Sequence, residues 1–210
     1  MQDFIHIKKQ ALSRNTCDTL INLFEHNKNL HVEGHIGGVK DLHNEWKKDT
    51  EITISPDFLV KDSDWKGPLS DVMSSLSQET KFYKKEFTFH TDEHGVSGLE
   101  GLANWRIYPY FNFQRYLPGE GYYAWHCESS APKPVFLSRM LAWMVYLNDV
   151  PEAGTEFKFQ DLETDAEAGT IVIWPPYWTH MHRGVISNTH NKYILSGWFN
   201  FLNESKNHFQ

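Results

Sequence analysis

The chain has 210 residues, 40% of them hydrophobic, with fourteen Phe, nine Tyr and eight Trp, which is ample for one large core. A formal charge of −7 with histidines neutral gives no support for a general nucleic-acid binder, which carries a basic stripe, and leaves room for one local basic groove. Two cysteines, Cys17 and Cys127, exclude a disulfide framework. No run of about 18 apolar residues offers a membrane span, and the first residues lack the apolar stretch of a signal peptide. A soluble, cytoplasmic protein is expected.

Residues 3–8 read as a short strand. Ser13 to about Asn27 reads as an amphipathic helix, with Cys17, Leu20, Ile21 and Phe24 on one face and Ser13 or Asn15 as its cap. Residues 31–50 are polar, rich in His and Gly, and give no clear pattern. Residues 51–55 alternate like a strand. Leu69, Val72, Met73 and Leu76 predict a second helix over 69–82, and 91–101 read as a flexible loop. From Trp105 onward short strands alternate with turns: 104–116, 122–128, 139–147, 155–159, 170–174, 180–186 and 192–201. Helices first and strands later predict helices packed on one face of a β-sandwich or jelly roll.

Two segments carry the candidate chemistry. One is Tyr-Leu-Pro-Gly-Glu-Gly-Tyr-Tyr-Ala-Trp-His126-Cys-Glu128; the other is Trp-Thr-His180-Met-His182-Arg-Gly, followed by Lys192 ten residues after His182. A His-x-Glu or His-x-Asp pair alone says little. Composition predicts roughly one or two by chance, and the chain has His31/Glu33, His43/Glu45, His90/Asp92 and His126/Glu128. Context favours the last. Residues i and i+2 of a strand share a face, so His126 and Glu128 can converge on one ion behind the aromatic run Tyr122-Tyr123-Ala124-Trp125. His90/Asp92, after Phe87-Thr88-Phe89, is the rival. His180 and His182 lie two apart on an expected strand, and either can supply a second imidazole. Two imidazoles and one carboxylate on one face of an octahedron hold a redox iron and leave three positions open.

Over residues 104–201 this pattern resembles the iron(II)- and 2-oxoglutarate-dependent oxygenases, closest to their prolyl 4-hydroxylase-like branch. There the motif is His-x-Asp/Glu, a distal His, then Lys or Arg on the last core strand. The ten-residue offset to Lys192 then favours His182 as distal ligand, with His126 and Glu128, and these three are the expected catalytic residues. Glu128 departs from the commoner Asp. The resemblance implies an α+β, mainly β fold, a double-stranded β-helix (jelly roll), in a single domain 1–210. Within it, residues 1–103 form a helical and mixed N-terminal region and residues 104–201 a metal-binding β core.

The resemblance also implies a co-substrate pocket. 2-Oxoglutarate is a dianion, and its distal carboxylate needs a buried cation. Lys192, on the apolar strand Lys-Tyr-Ile-Leu-Ser-Gly-Trp, is the expected one, sharing a face with Ile194, Ser196 and Trp198. Tyr146, Tyr116 and Ser196 match further groups around the co-substrate. Trp125 and Trp198 are expected to pack; Asn112 and Gln114 share strand parity with Tyr116 and either line the pocket or, the favoured reading, form a polar solvent face. The implied activity is a dioxygenase that hydroxylates an unactivated C–H bond while 2-oxoglutarate becomes succinate. It needs Fe(2+), 2-oxoglutarate and dioxygen, with ascorbate a candidate reductant. The prime substrate is a small molecule or a peptidyl proline. The competing readings are a jelly-roll metal-binding module and a cupin-like metalloenzyme that does not use 2-oxoglutarate; Lys192 and Tyr146 argue against the latter. DNA-repair dioxygenases resemble this pattern too, but use Arg contacts where this chain has Lys192.

Overall fold

Side-chain alternation along the strand Arg139–Tyr146 organises the molecule. In the computed structural model, which describes residues 3–34, 36, 43–60, 63–91, 95–130 and 133–202, all eight of its residues are buried. Leu141, Trp143 and Val145 join Leu20 and Phe24 of the helix Arg14–His26 and Leu69, Val72 and Leu76 of the helix Lys66–Glu86. Ala142, Met144 and Tyr146 point the other way, to Phe157, Val172, Trp174 and Ile194. Successive strand residues face opposite sides, so a strand with a core on both sides is apolar throughout.

The short helices His43–Trp46, Asp57–Val60 and Pro134–Leu137 were not expected; both expected helices form. Ser13 caps the first, its hydroxyl accepting from Thr16 N at 3.0 Å. The second runs longer than the expected 69–82. Pro68 sits in its first turn, where no intrahelical N–H is needed, and Tyr83 extends its buried face to a last turn ending at Glu86.

The helices cover one face of an antiparallel eight-stranded sheet. Its order is His6–Lys8, Ile171–Trp174, Arg139–Tyr146, Lys192–Phe201, Phe111–Tyr116, Thr50–Ile54 and Val32–Glu33, with Trp105–Ile107 also paired to Lys192–Phe201. A three-stranded sheet combines Leu162–Glu163, Thr155–Phe157 and His182–Gly184. Lys47–Lys48 pairs with Gly121–Tyr122. No described helix is long and apolar enough to cross a membrane. Cys17 and Cys127 are both free.

The expected double-stranded β-helix is not what the chain forms. The fold is mixed α/β, and among the described residues no sheet closes or curls on itself. The large sheet is open at His6–Lys8 and Val32–Glu33, and the three-stranded sheet makes no ladder with it. The cause lies in segments expected to be long strands. Residues 122–128 hold only the end of Gly121–Tyr122 and then a single bridge at His126. Residues 180–186 reduce to His182–Gly184, preceded by a 3-10 turn, Trp178–His180. Residues 104–116 break around Pro109, which has no N–H for a ladder. The expected loop 91–101 instead contributes to a hairpin of Thr88–Thr91 with Gly95–Gly98, followed by a 3-10 turn at Leu99–Gly101; residues 92–94 lie outside the described residues.

Gly197 stands directly across from Trp143 in the central strand pair. A Cβ there would lie 2.5 Å from Trp143 Cζ2 and 2.8 Å from Phe111 Cβ. Gly197→Ala should therefore destabilise the fold by about 1–3 kcal/mol through overpacking, measured as a lower urea midpoint at unchanged slope.

Candidate metal centre

His126 and His182 come from segments that meet at one antiparallel bridge. His126 N donates to His182 O at 3.0 Å, and His182 N donates to His126 O at 2.9 Å. The bridge sets the two rings 4.3 Å apart. Each ring uses Nδ1 on a backbone carbonyl two residues earlier: His126 on Ala124 O at 3.0 Å, His182 on His180 O at 2.9 Å. That pairing fixes the tautomer with an unprotonated Nε2. The Nε2 atoms lie 3.7 Å (His126) and 3.4 Å (His182) from Glu128 Oε1. A facial set with bonds of about 2.1 Å places its donors roughly 3 Å apart, so a small inward adjustment suffices. Among the described residues, His126, Glu128 and His182 are the group gathered closely enough for one ion.

The surroundings favour ligand forms. Burial, reinforced by His182, pushes His126 down to about 3, so its imidazole is neutral at physiological pH. Burial opposes the charge of Glu128, but its close neighbours His182, His126 and Arg139 hold it well below the usual carboxylate range. Tyr122 stacks flat on His126, centroids 3.5 Å apart. Phe157 and Trp174 pack around His182 at 5.5 and 5.1 Å. Two imidazole nitrogens and an ionised carboxylate are the donor set that suits ferrous iron.

His180 stays outside this group. Its place in a 3-10 turn directs Nε2 to Asp3 O at 2.8 Å and Nδ1 to Thr179 Oγ1 at 2.9 Å. The shared-strand reasoning that kept it open fails because no regular strand spans 180–182. His126 and Glu128 converge although 122–128 is not a continuous strand. Of the rival pairs, His90 is exposed on the hairpin and Asp92 lies outside the described residues. His31 Nε2 is occupied by Phe24 O at 2.9 Å.

The centre opens into a cavity of about 380 Å³ lined by Lys192, Tyr116, Tyr146, Ser196, Asn112 and Gln114 among others. Lys192 is 4% exposed. Its ammonium donates to Ala153 O at 2.9 Å and Val185 O at 2.7 Å, with no carboxylate partner among the described residues. Burial lowers it to about 8. Tyr116 lies opposite in register, its ring 5.5 Å from Lys192 Nζ. Tyr146 shares its hydroxyl with Thr155 and Thr164, each at 2.7 Å, and burial pushes it up to about 12. Ser196 sits farther along the same face and donates to Gln114 Oε1 at 2.8 Å.

Sequence reasoning missed several contributors. Arg139 donates through Nη1 to Glu128 O and, at 3.3 Å, to Glu128 Oε2. It stacks on Trp198 at 3.7 Å. Trp198, expected only to pack, also donates its indole N–H to Glu128 Oε2 at 2.7 Å. Asn112 and Gln114 face the cavity, and Gln114 is buried. Lys47, Asp49 and Glu51 form a buried ion cluster behind Gln114. The alternation Lys47-x-Asp49-x-Glu51 was the available signal, hidden in a polar stretch that otherwise lacks pattern.

Residues 111–200 match the family model described as the 2OG-Fe(II) oxygenase superfamily. No curated protein matches the chain. Among solved structures, a prolyl-4-hydroxylase of Pseudomonas putida is similar at TM-score 0.62 and 16% identity, over 96% of this chain and 95% of that one. A prolyl hydroxylase of Trichoplax adhaerens, in complex with a hypoxia inducible factor oxygen degradation domain peptide fragment, gives 0.68 and 12%, over 95% and 84%. The non-heme alpha ketoglutarate dependent epimerase SnoN from nogalamycin biosynthesis gives 0.59 and 9%, over 95% and 78%. At these identities the likeness shows the fold alone.

Removing one of three ligands costs the ion its facial grip. His182→Ala should abolish binding of ferrous iron in anaerobic titration, whereas His180→Ala should keep an affinity within about threefold of the parent, since second-sphere changes of this kind fall below the 10–100-fold of ligand-orienting partners. The reverse result would transfer the ligand role to His180.

Proposed function

Because the chain belongs to the 2OG-Fe(II) oxygenase superfamily, we propose that it is a prolyl 4-hydroxylase-like enzyme, acting through His126, Glu128 and His182 on a proline within a peptide. The observation that carries the co-substrate half of this reading is Lys192. A lysine at 4% exposure that, among the described residues, donates to two carbonyls and meets no carboxylate is a cation waiting for an anion, since burying an unpaired charge costs several kcal/mol. The distal carboxylate of 2-oxoglutarate supplies that anion. Tyr116, whose hydroxyl has no hydrogen-bond partner among the described residues, and Tyr146 stand beside it on the same wall.

Iron(II), when bound with 2-oxoglutarate and dioxygen, supplies the oxidising power for C–H hydroxylation, with the co-substrate leaving as succinate and carbon dioxide. The chain contributes the rest. His126 and His182 offer Nε2 because their Nδ1 protons are fixed on carbonyls. Glu128 offers Oε1 because Oε2 is held by Trp198 and Arg139. Met144, Ile194 and Trp174 line the cavity with apolar surface and limit water.

The peptidyl-proline half rests on two supports. Two of the similar structures are named prolyl hydroxylases, one with a bound peptide. Tyr108, Phe136 and Trp198 also line the cavity, which gives aromatic surface of the kind a pyrrolidine ring packs on. Aerobic incubation with iron, 2-oxoglutarate and proline-containing peptides tests it directly. Succinate release matched by oxygen gain on the peptide supports the reading. Succinate release driven only by small molecules would redirect it to a small-molecule hydroxylase.

Lys192 carries opposite consequences for stability and binding. Its free lysine value of 10.5 falls to about 8 in the folded chain. The unfolded chain therefore binds more protons between pH 8 and 10.5, and stability rises with pH across that window. Lys192→Met should flatten that rise and stabilise the metal-free protein at pH 7 by about 1–3 kcal/mol, read from urea midpoints. The same variant should weaken 2-oxoglutarate binding by on the order of a hundredfold while iron still binds.

A further inference from the structure

Gln114 lies 5% exposed between the cavity and the buried ion cluster. Its Nε2 is 2.9 Å from Asp49 Oδ2 and 2.9 Å from Glu51 Oε1. Both carboxylates also take Lys47 Nζ, at 3.1 Å for Asp49 and through a very short contact for Glu51. Gln114 turns its amide nitrogen to the cluster and donates to both acids, whose oxygens accept. Oε1 then points the opposite way and accepts the Ser196 hydroxyl at 2.8 Å. Ser196 has one hydrogen, and Gln114 takes it. What Ser196 offers the cavity is lone pairs.

Position adds a second constraint. Along Lys192–Phe201, Ser196 is four residues from Lys192, about 13 Å at strand rise, and it pairs in register with Asn112 on the neighbouring strand. Asn112 also lines the cavity, and its amide makes no hydrogen bond among the described residues. An acceptor-only hydroxyl beside a free carboxamide is the complement of a peptide link: Ser196 Oγ accepts an N–H, and Asn112 donates to a C=O.

We propose that Lys47, Asp49, Glu51 and Gln114 act as a fixed relay that presents Ser196 as an acceptor, and that Ser196 and Asn112 together read one amide link of the peptide substrate. This rests on the prolyl reading above. It separates Ser196 from the co-substrate cradle, where a carboxylate would demand a donor. Gln114 and the ion cluster are positioning residues, since they act through Ser196.

The test has two arms. In anaerobic titration of the iron-loaded protein with 2-oxoglutarate, followed by its visible chelate absorption, Ser196→Ala should stay within about twofold of the parent, as expected for a residue outside that site. A weakening of tenfold or more, comparable to that of Lys192→Ala, overturns the proposal. In the second arm a proline-containing peptide is compared with analogues N-methylated at one flanking amide at a time. One methylation should raise KM about tenfold in the parent, the cost of one unmade hydrogen bond. That penalty should disappear in Ser196→Ala and return in Ser196→Thr, which keeps the oxygen. Equal penalties in parent and Ser196→Ala overturn the proposal. If Lys192→Ala leaves 2-oxoglutarate binding unchanged, the co-substrate reading fails instead. If 2-oxoglutarate binds through Lys192 but no proline peptide is turned over, the prolyl reading fails and the amide assignment falls with it.

Discussion

Two backbone hydrogen bonds between His126 and His182, 3.0 and 2.9 Å long, hold together segments that the chain separates by more than fifty residues. Neither segment is a long strand, and neither belongs to the large sheet. The bridge brings the imidazoles within one ion's reach, and it leaves Glu128 two residues along to complete the set. Around it the ordering is layered. Tyr122 stacks on one ring, Phe157 and Trp174 enclose the other, and Arg139 with Trp198 anchors the carboxylate. The central strands Arg139–Tyr146 and Lys192–Phe201 provide the rigid wall against which this is set, because one of their faces is fixed by the helical core.

Charge is distributed along the cavity with a consistent logic. The metal end holds an ionised carboxylate and two imidazoles, that of His126 kept neutral by burial. The far end holds one cation stabilised by two carbonyl dipoles and the face of Tyr116. Between them the side wall holds a lysine with two acids, all three largely shielded from solvent. Burial raises Asp49 to about 7, against the pull of Lys47. Such a cluster is costly to assemble and rigid once formed, which suits a role in aiming neighbours more than in binding by its own charge.

The metal ligands were legible because their chemistry leaves few substitutes. A His-x-Glu pair behind an aromatic run, a later histidine and a lysine on an apolar strand each break the ordinary pattern of their surroundings. The same holds for the helices, whose apolar spacing and Ser13 cap are local properties. What could not be read was geometry set by distant contacts. Alternation suggested a strand through 122–128, yet the chain leaves the ladder after Tyr122 and returns for a single bridge. His180 and His182 look equivalent at a spacing of two, and only the 3-10 turn tells them apart. The expected double-stranded β-helix failed for the same reason: strand counts were right in kind, but pairing between sheets is not encoded in period. Strand parity offered Gln114 a place in the pocket, but the solvent face was favoured because its partners Asp49 and Glu51 are remote in sequence.

The two ends of the eight-stranded sheet are His6–Lys8 and Val32–Glu33, three and two residues long. A sheet edge is a row of unused donors and acceptors that another chain can extend. Here the central strands are eight and ten residues long, and the rows taper to almost nothing at both margins, one of them bearing a lysine and the other a glutamate. An open sheet with a strongly apolar middle thus remains self-limiting. Its broad, stiff platform for chemistry ends in short, charged margins, features that disfavour edge-to-edge pairing.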